Sequence, residues 1–253
     1  MASFFQTNGV HFDPWATPGP GKGLRNCQLG AYWAVWSHFT STTKPALVSL
    51  PTGAGKTALM MALSFGLKAT RVLIITPAAT LRDQTAEKFR ELDDLKTASV
   101  ISKTVPSPIV LSNAQQLTTR KAWHDLRSAD VVVATPKTTS PSEPGIYVPP
   151  KGIFDLIFID EAHHAPAPTW AAILRAFDDA RCVLLTATPF RRDNRLIHAP
   201  LVYHYSIAKA LDDNIYRPVK YEAVDAPMDR SSRDAELCKR AAQILKKEHK
   251  KGL

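Results

Sequence analysis

A lysine set between glycine and threonine, and two adjacent carboxylates behind an apolar run, are the residues of this chain equipped for phosphate chemistry. Residues 51–57 read Pro-Thr-Gly-Ala-Gly-Lys-Thr, and Asp160-Glu161-Ala162-His163-His164 follows the run Phe154–Ile159. Hydrolysis of a triphosphate needs backbone N–H groups and a lysine around the phosphates, a hydroxyl and a carboxylate for Mg2+, and a base to orient water. Thr52, Gly53, Ala54 and Gly55 form the loop for the first task. Its two glycines lack Cβ, so the chain can wrap closely and aim N–H groups at phosphate oxygens. Lys56 should reach the β- and γ-phosphates, and the Thr57 hydroxyl should bind Mg2+. Asp160 should hold the same ion, directly or through water, while Glu161 positions and deprotonates the attacking water. The helix beginning near Lys56 adds the positive end of its dipole.

Two alternatives fare worse. The general phosphate-loop pattern places glycine five residues before Gly55, where this chain has Leu50. That departure argues against a kinase or GTPase, whereas the shorter Pro-Thr-Gly-x-Gly-Lys-Thr variant fits throughout. His163 and His164 are adjacent and lack the i, i+4 spacing of a helical zinc pair, so no metal beyond Mg2+ is expected.

The elements that must carry these residues follow from apolar periodicity. Strands are expected at Ala46–Leu50, Val72–Thr76, Ser99–Ile101, Ile109–Ser112, Val131–Ala134, Phe154–Ile159, Cys182–Thr186 and Val219–Val224. Helices are expected at 27–39, 56–68, 79–92, 120–127, 168–177, 206–212 and 234–250. Near-continuous Val/Ile/Leu runs suit strands buried on both faces, so the fold class is α/β, a mostly parallel sheet between helical layers. Both chemical segments then sit just past a strand's C-terminal end, where ligands bind in open α/β sheets. Residues 1–23, rich in proline and glycine, should form an irregular lead-in. Residues 136–150 hold five prolines and should form a surface insertion.

Composition sets the outer bounds. The 253 residues, 45% apolar, can bury a sizeable core, and a net charge of +9 favours a polyanionic partner. Cys27, Cys182 and Cys238 show no paired spacing and read as reduced thiols of an intracellular protein. With neither a signal-peptide pattern nor a run long enough to span a membrane, a cytoplasmic protein without membrane contact is expected.

Taken in order, the motifs resemble those of superfamily 2 helicases, in particular the DEAH-box group that includes type III restriction-enzyme motor subunits. Leu24-Arg25-Asn26-Cys27-Gln28 is similar to the segment whose glutamine reads adenine in that family, placing Arg25 and Gln28 at the base of ATP. Thr76-Pro77-Ala78-Ala79-Thr80-Leu81-Arg82-Asp83-Gln84 resembles a motif that lines the nucleic-acid backbone, with Pro77 and Arg82 as contacts. Ala134-Thr135-Pro136 resembles the next such motif and offers Thr135, although Ile109–Leu117 is a competing match. Asp160-Glu161-Ala162-His163 is the box itself, and Thr186-Ala187-Thr188-Pro189 is similar to the motif coupling hydrolysis to movement. His163, Thr186 and Thr188 would serve that coupling.

The resemblance implies a three-layer RecA-like domain over 24–225, with ATP and Mg2+ as cofactors. It also implies an ATPase that unwinds or moves along nucleic acid, DNA in preference to RNA. A family member needs a second RecA-like domain with its arginine finger, whose motifs should follow residue 253; further subunits are also expected. Residues 226–253 read as the linker and first helix of that domain. Leu237, Ala241, Ile244 and Leu245 form an apolar stripe there, opposite a basic face. A single domain that binds nucleic acid or a partner without useful turnover is the competing reading.

Overall fold

A computed structural model describes residues 3–15, 22–162, 167–188, 199–215, 223–225 and 228–249. The chain divides into two units, 1–216 and 217–253, a boundary nine residues earlier than the sequence pattern places it.

The first unit runs α1 (Phe4–Asn8), α2 (Asn26–Ser41), β1 (Ala46–Ser49), α3 (Lys56–Gly66), β2 (Val72–Ile75), α4 (Ala79–Glu91) and α5 (Asp93–Thr97). It continues with β3 (Val110–Ser112), α6 (Arg120–Asp125), β4 (Val131–Ala134), α7 (Pro136–Thr139) and β5 (Leu156–Ile159). It ends with α8 (Ala167–Ala176), β6 (Arg181–Thr186), β7 (Leu201–His204) and α9 (Ile207–Asp212). The seven strands form one sheet in the order β3-β4-β2-β5-β6-β1-β7, and every pairing is parallel.

Alternation along the strands divides the core in two. Val72, Ile74, Val131, Val133, Leu156, Phe158, Val183 and Leu185 face one layer, packing with Phe5 of α1 and residues of α2, α3, α4, α5 and α9. Leu73, Ile75, Val132, Ile157, Ile159 and Leu184 face the other, against Trp123 of α6 and Trp170 and Ile173 of α8. Helices therefore cover both faces, the three-layer α/β/α arrangement expected.

Several expected elements come out differently. Ser99–Ile101 is no strand: Ser99 has φ +57, and Val100 and Ile101 are buried in a turn whose Val100 carbonyl accepts from the Asp13 N–H. Strand β7 has no counterpart in the sequence pattern. The segment expected at Val219–Val224 lies mostly outside the described residues. The lead-in is not wholly irregular either. Ser3 caps α1, its hydroxyl accepts from Gln6 N–H and donates to Ala69 O, and Phe5 is completely buried.

The second unit contains α10 (Arg230–His249), on which Leu237, Ile244 and Leu245 are exposed. Among the described residues, no helix is long and apolar enough to cross a membrane.

Candidate active site

Strand β1 ends at Ser49, and Leu50 N–H donates to the Thr186 carbonyl of neighbouring β6, fixing where the chain leaves the sheet. Gly53 and Gly55 then both take φ +82, a conformation that side chains disfavour. At Gly55 the need for glycine is doubled, because a Cβ there would lie 2.1 Å from Gln28 Nε2. Gly55 precedes α3, so the free N–H groups of the first helical turn open toward the loop.

Strand β5 delivers Asp160 and Glu161 to the same sheet edge. Asp160 N–H donates to Ile75 O of β2, and Ala162 N–H donates to Leu185 O of β6, so backbone hydrogen bonds hold the pair on both sides. Glu161 has φ +49, uncommon for a residue with a side chain. Strain of this kind persists where the surroundings over-determine it, and it concentrates at functional sites. The result is contact between the two halves of the site: Lys56 Nζ donates to Glu161 Oε1 in an ion pair whose side chains are only 10% and 17% exposed. Asp160 Oδ1 accepts from the Glu161 N–H at 3.0 Å. Burial pushes the Asp160 carboxyl above the ordinary aspartate range, against the pull of Lys56.

The wall of the cleft is α2. Arg25 Nη1 donates to Gly53 O at 3.2 Å, and Gln28, 5% exposed, donates to Ala54 O and Gly55 O. Cys27 lies beneath, its thiol 3.6 Å from Ala54 O and pushed up by burial. An open cleft of about 1070 Å³ results, lined by Arg25, Gln28, Thr52, Gly53, Gly55, Lys56, Thr57, Asp160 and Glu161. The groups gathered at the loop fit a triphosphate with a divalent cation: two glycines at left-handed φ, the Lys56 amine, the Thr57 hydroxyl and the half-buried Asp160 carboxylate. No cluster of His, Cys, Asp and Glu suited to a resident metal occurs among the described residues.

Thr186, at the end of β6 between the two halves, donates to Thr188 O at 2.8 Å and accepts from Thr188 N–H at 3.1 Å. This closed turn joins two of the residues expected to couple hydrolysis to movement. The third, His163, lies outside the described residues.

The expected nucleic-acid contacts are not gathered with the others. Arg82 is folded onto Asp83 by two hydrogen bonds of 2.9 and 3.0 Å, and its side chain is 12% exposed. Asp83 also accepts from Ser112 Oγ of β3. Thr135 is buried at 8% exposure, and the Thr138 and Thr139 hydroxyls both donate to its carbonyl. Pro77 is half-buried just past β2. Residues 213–215, which also line the cleft, escaped sequence reasoning. Only the helix-then-asparagine pattern 207–214 could have marked them.

Comparison with solved structures agrees with the fold. A nuclease-deletion mutant of the Type ISP restriction-modification enzyme LlaGI, in complex with a DNA substrate mimic, matches with a TM-score of 0.53 and 19% identity. The match covers 77% of this chain and 21% of that one. The ATP-dependent Type ISP enzyme LlaBIII bound to DNA matches with a TM-score of 0.50 and 20% identity, over 76% of this chain and 16% of that one. The chain thus spans about a fifth of the length of these relatives. No curated protein matches it. The family model described as type III restriction enzyme, res subunit, matches residues 21–191.

Proposed function

The chain belongs to the type III restriction enzyme res subunit family, and from that premise we propose that it is the ATP-binding half of a nucleic-acid-dependent ATPase that moves along or unwinds DNA. The ion pair between Lys56 and Glu161 carries the reading, because it brings the phosphate loop and the acidic pair into one site across the sheet edge. Lys56 and the loop N–H groups bind the phosphates. Glu161 is the base that orients and deprotonates water. Thr57 and Asp160 would hold Mg2+, which when bound would supply charge neutralisation at the phosphates.

The ion pair gives the site an internal order of events. While Lys56 donates to Glu161, the carboxylate is tied up by a cation. A triphosphate drawing Lys56 to its β- and γ-oxygens releases Glu161 to accept a proton from water, so the base becomes competent as substrate arrives. Thr186 ends the strand between the halves and Thr188 lies in the turn beyond it, where a change at the γ-phosphate would be felt. DNA as partner finds support in the DNA-bound state of the LlaGI and LlaBIII structures and in the net charge of +9. A second RecA-like domain supplying an arginine finger belongs to this proposal.

The test is Mg·ATP binding and turnover. Lys56→Ala should abolish binding. Glu161→Gln should bind normally and, in the longer protein carrying a second domain, lose nucleic-acid-stimulated hydrolysis. That longer protein should exceed the 253-residue chain in stimulated turnover by about a thousandfold, the order of an arginine finger. Strong stimulated hydrolysis by the 253 residues alone would sink the half-motor reading. Binding with no stimulation in either form would favour a binding module.

A further inference from the structure

Helix α2 has an exposed side, yet the chain carries no Lys, Arg, Asp or Glu between Arg25 and Lys44. In place of charges stand Trp33 and Trp36, 38% and 40% exposed, and Trp15 joins them from the lead-in at 62%. The three indoles form a row: ring centroids of Trp15 and Trp33 lie 6.4 Å apart, and those of Trp33 and Trp36 5.9 Å. The row is founded on the core. Trp33 meets buried Tyr32 edge-on at 5.0 Å, and Tyr32 packs on Phe12 at 5.7 Å. Single exposed apolar residues are ordinary, whereas contiguous ones mark interaction sites. Tryptophan enrichment with charge depletion is the composition of an interface centre. None of the three lines the nucleotide cleft.

Two features select the partner. Charge is the first. Nucleic acid is held through its phosphates by Lys and Arg, and the stretch 26–43 has neither, so the net charge of +9 resides elsewhere. The indole N–H groups are the second. The two buried tryptophans satisfy theirs: Trp123 Nε1 donates to Tyr147 O at 2.9 Å, and Trp170 Nε1 donates to Ala162 O at 2.6 Å. Those of Trp15, Trp33 and Trp36 donate to no group among the described residues. A partner helix or sheet has already committed its carbonyls to its own backbone. A polyproline II segment has no internal hydrogen bonds, so every carbonyl is open to an outside donor. Residues two apart in such a segment lie about 6 Å apart along its axis, the spacing of the indoles.

We propose that Trp15, Trp33 and Trp36 form a docking site for an uncharged, proline-rich segment of a partner protein. The proline rings lie on the indole faces, and the segment's carbonyls accept from the indole N–H groups. Because Tyr32 holds the row in place before any partner arrives, little ordering cost falls on the protein side.

Intrinsic fluorescence reads the site directly, since it holds three of the five tryptophans. An acetylated and amidated decaproline peptide, titrated into the protein, should shift the emission to the blue and saturate, with a matching isotherm in calorimetry. Trp33→Ala and Trp36→Ala should each weaken the affinity by roughly tenfold or more, the order of an interface hot spot. Trp33→Phe, which keeps a ring and removes the donor, should fall between them and wild type. Both alanine variants should melt close to wild type, because exposed side chains contribute little to stability. Trp15→Ala, which alters no helix and touches only Trp33 among the rings, keeps the test open should α2 be disturbed. A Gly-Ser peptide of equal length should not bind, and binding of an oligo(dT) strand should be the same in all variants. No saturable response to decaproline, or equal affinity in every variant, would overturn the proposal. So would oligo(dT) binding that is lost in Trp33→Ala while decaproline has no effect, which would make the row a base-stacking platform.

Discussion

Asp160 is a carboxylate that burial makes reluctant to ionise, and the sign of its effect on stability follows. Its folded-state pKa is raised, so the folded protein holds the proton more tightly than the unfolded chain. The ionised group therefore costs stability above the folded pKa, and the cost fades as pH falls through that value toward the ordinary aspartate range near about 4. Asp160→Asn should raise the melting temperature of the nucleotide-free protein at pH 7 to 8, with the gain shrinking toward pH 4, while Mg2+-dependent ATP binding is lost. Melting curves across that range check the direction. Gly55→Ala should do harm twice, through a left-handed φ and through the collision with Gln28 Nε2. A loss of about 1–3 kcal/mol in chemical denaturation is expected, with weakened ATP binding. That Lys56, Thr57, Asp160 and Glu161 line one cleft was legible in the sequence, because each lies in a short patterned run just past an apolar strand. The Lys56–Glu161 contact, the burial of Thr135 and the clamp of Asp83 on Arg82 were not. They depend on which strands adjoin and which side chains fold back, and no local pattern records that.

Among the elements, α1 is the one the composition concealed. The proline and glycine that follow it make the whole terminus read as loop, whereas Phe5 inserts edge-on against Phe65 of α3 at 5.1 Å and Phe12 stacks on the same ring. The helix that begins at the phosphate loop is thus buttressed from the amino terminus. Phe5→Ala should cost about 3–5 kcal/mol, lowering the melting temperature by on the order of 10 °C in a unit of this size; a shift under about 2 °C would show that α1 is not docked. The strands of Val, Ile and Leu were readable, since burial on both faces demands continuous apolar runs. Leu201–His204 was not, being a short edge strand of mixed polarity with both end residues exposed. The clasp at the opposite end of the sheet was equally hidden. There Asp155 accepts from the Thr70 and Arg71 N–H groups and from Arg181 Nη2, joining the starts of β2, β5 and β6 from segments far apart in sequence.

For the molecule as a whole, a net charge of +9 predicts electrostatic capture of nucleic acid, with affinity falling steeply as salt rises. Titration of a labelled DNA oligonucleotide at about 50 and 200 mM salt should show a loss of tenfold or more; an affinity indifferent to salt would point to a protein partner. The clamp of Asp83 on Arg82 adds a refinement. Asp83→Asn should tighten that binding by freeing the guanidinium, and measurably so at the lower salt.

The strand order has a consequence for how the protein is made. Strand β1, which ends in the phosphate loop, pairs only with β6 and β7: Ala46 lies beside Val183 and Leu47 beside Leu201. During synthesis this apolar strand emerges early and waits, without a neighbour, for well over a hundred further residues. Pairings so distant in sequence form slowly, because loop closure must precede any reward. The nucleotide loop is therefore completed last, although it is among the first parts translated. ATP can stabilise only a nearly finished fold, so its binding reports the end of folding and gives no help to earlier intermediates. Nascent chains halted before β6 should fail to bind ATP even though Lys56 and Glu161 are already present.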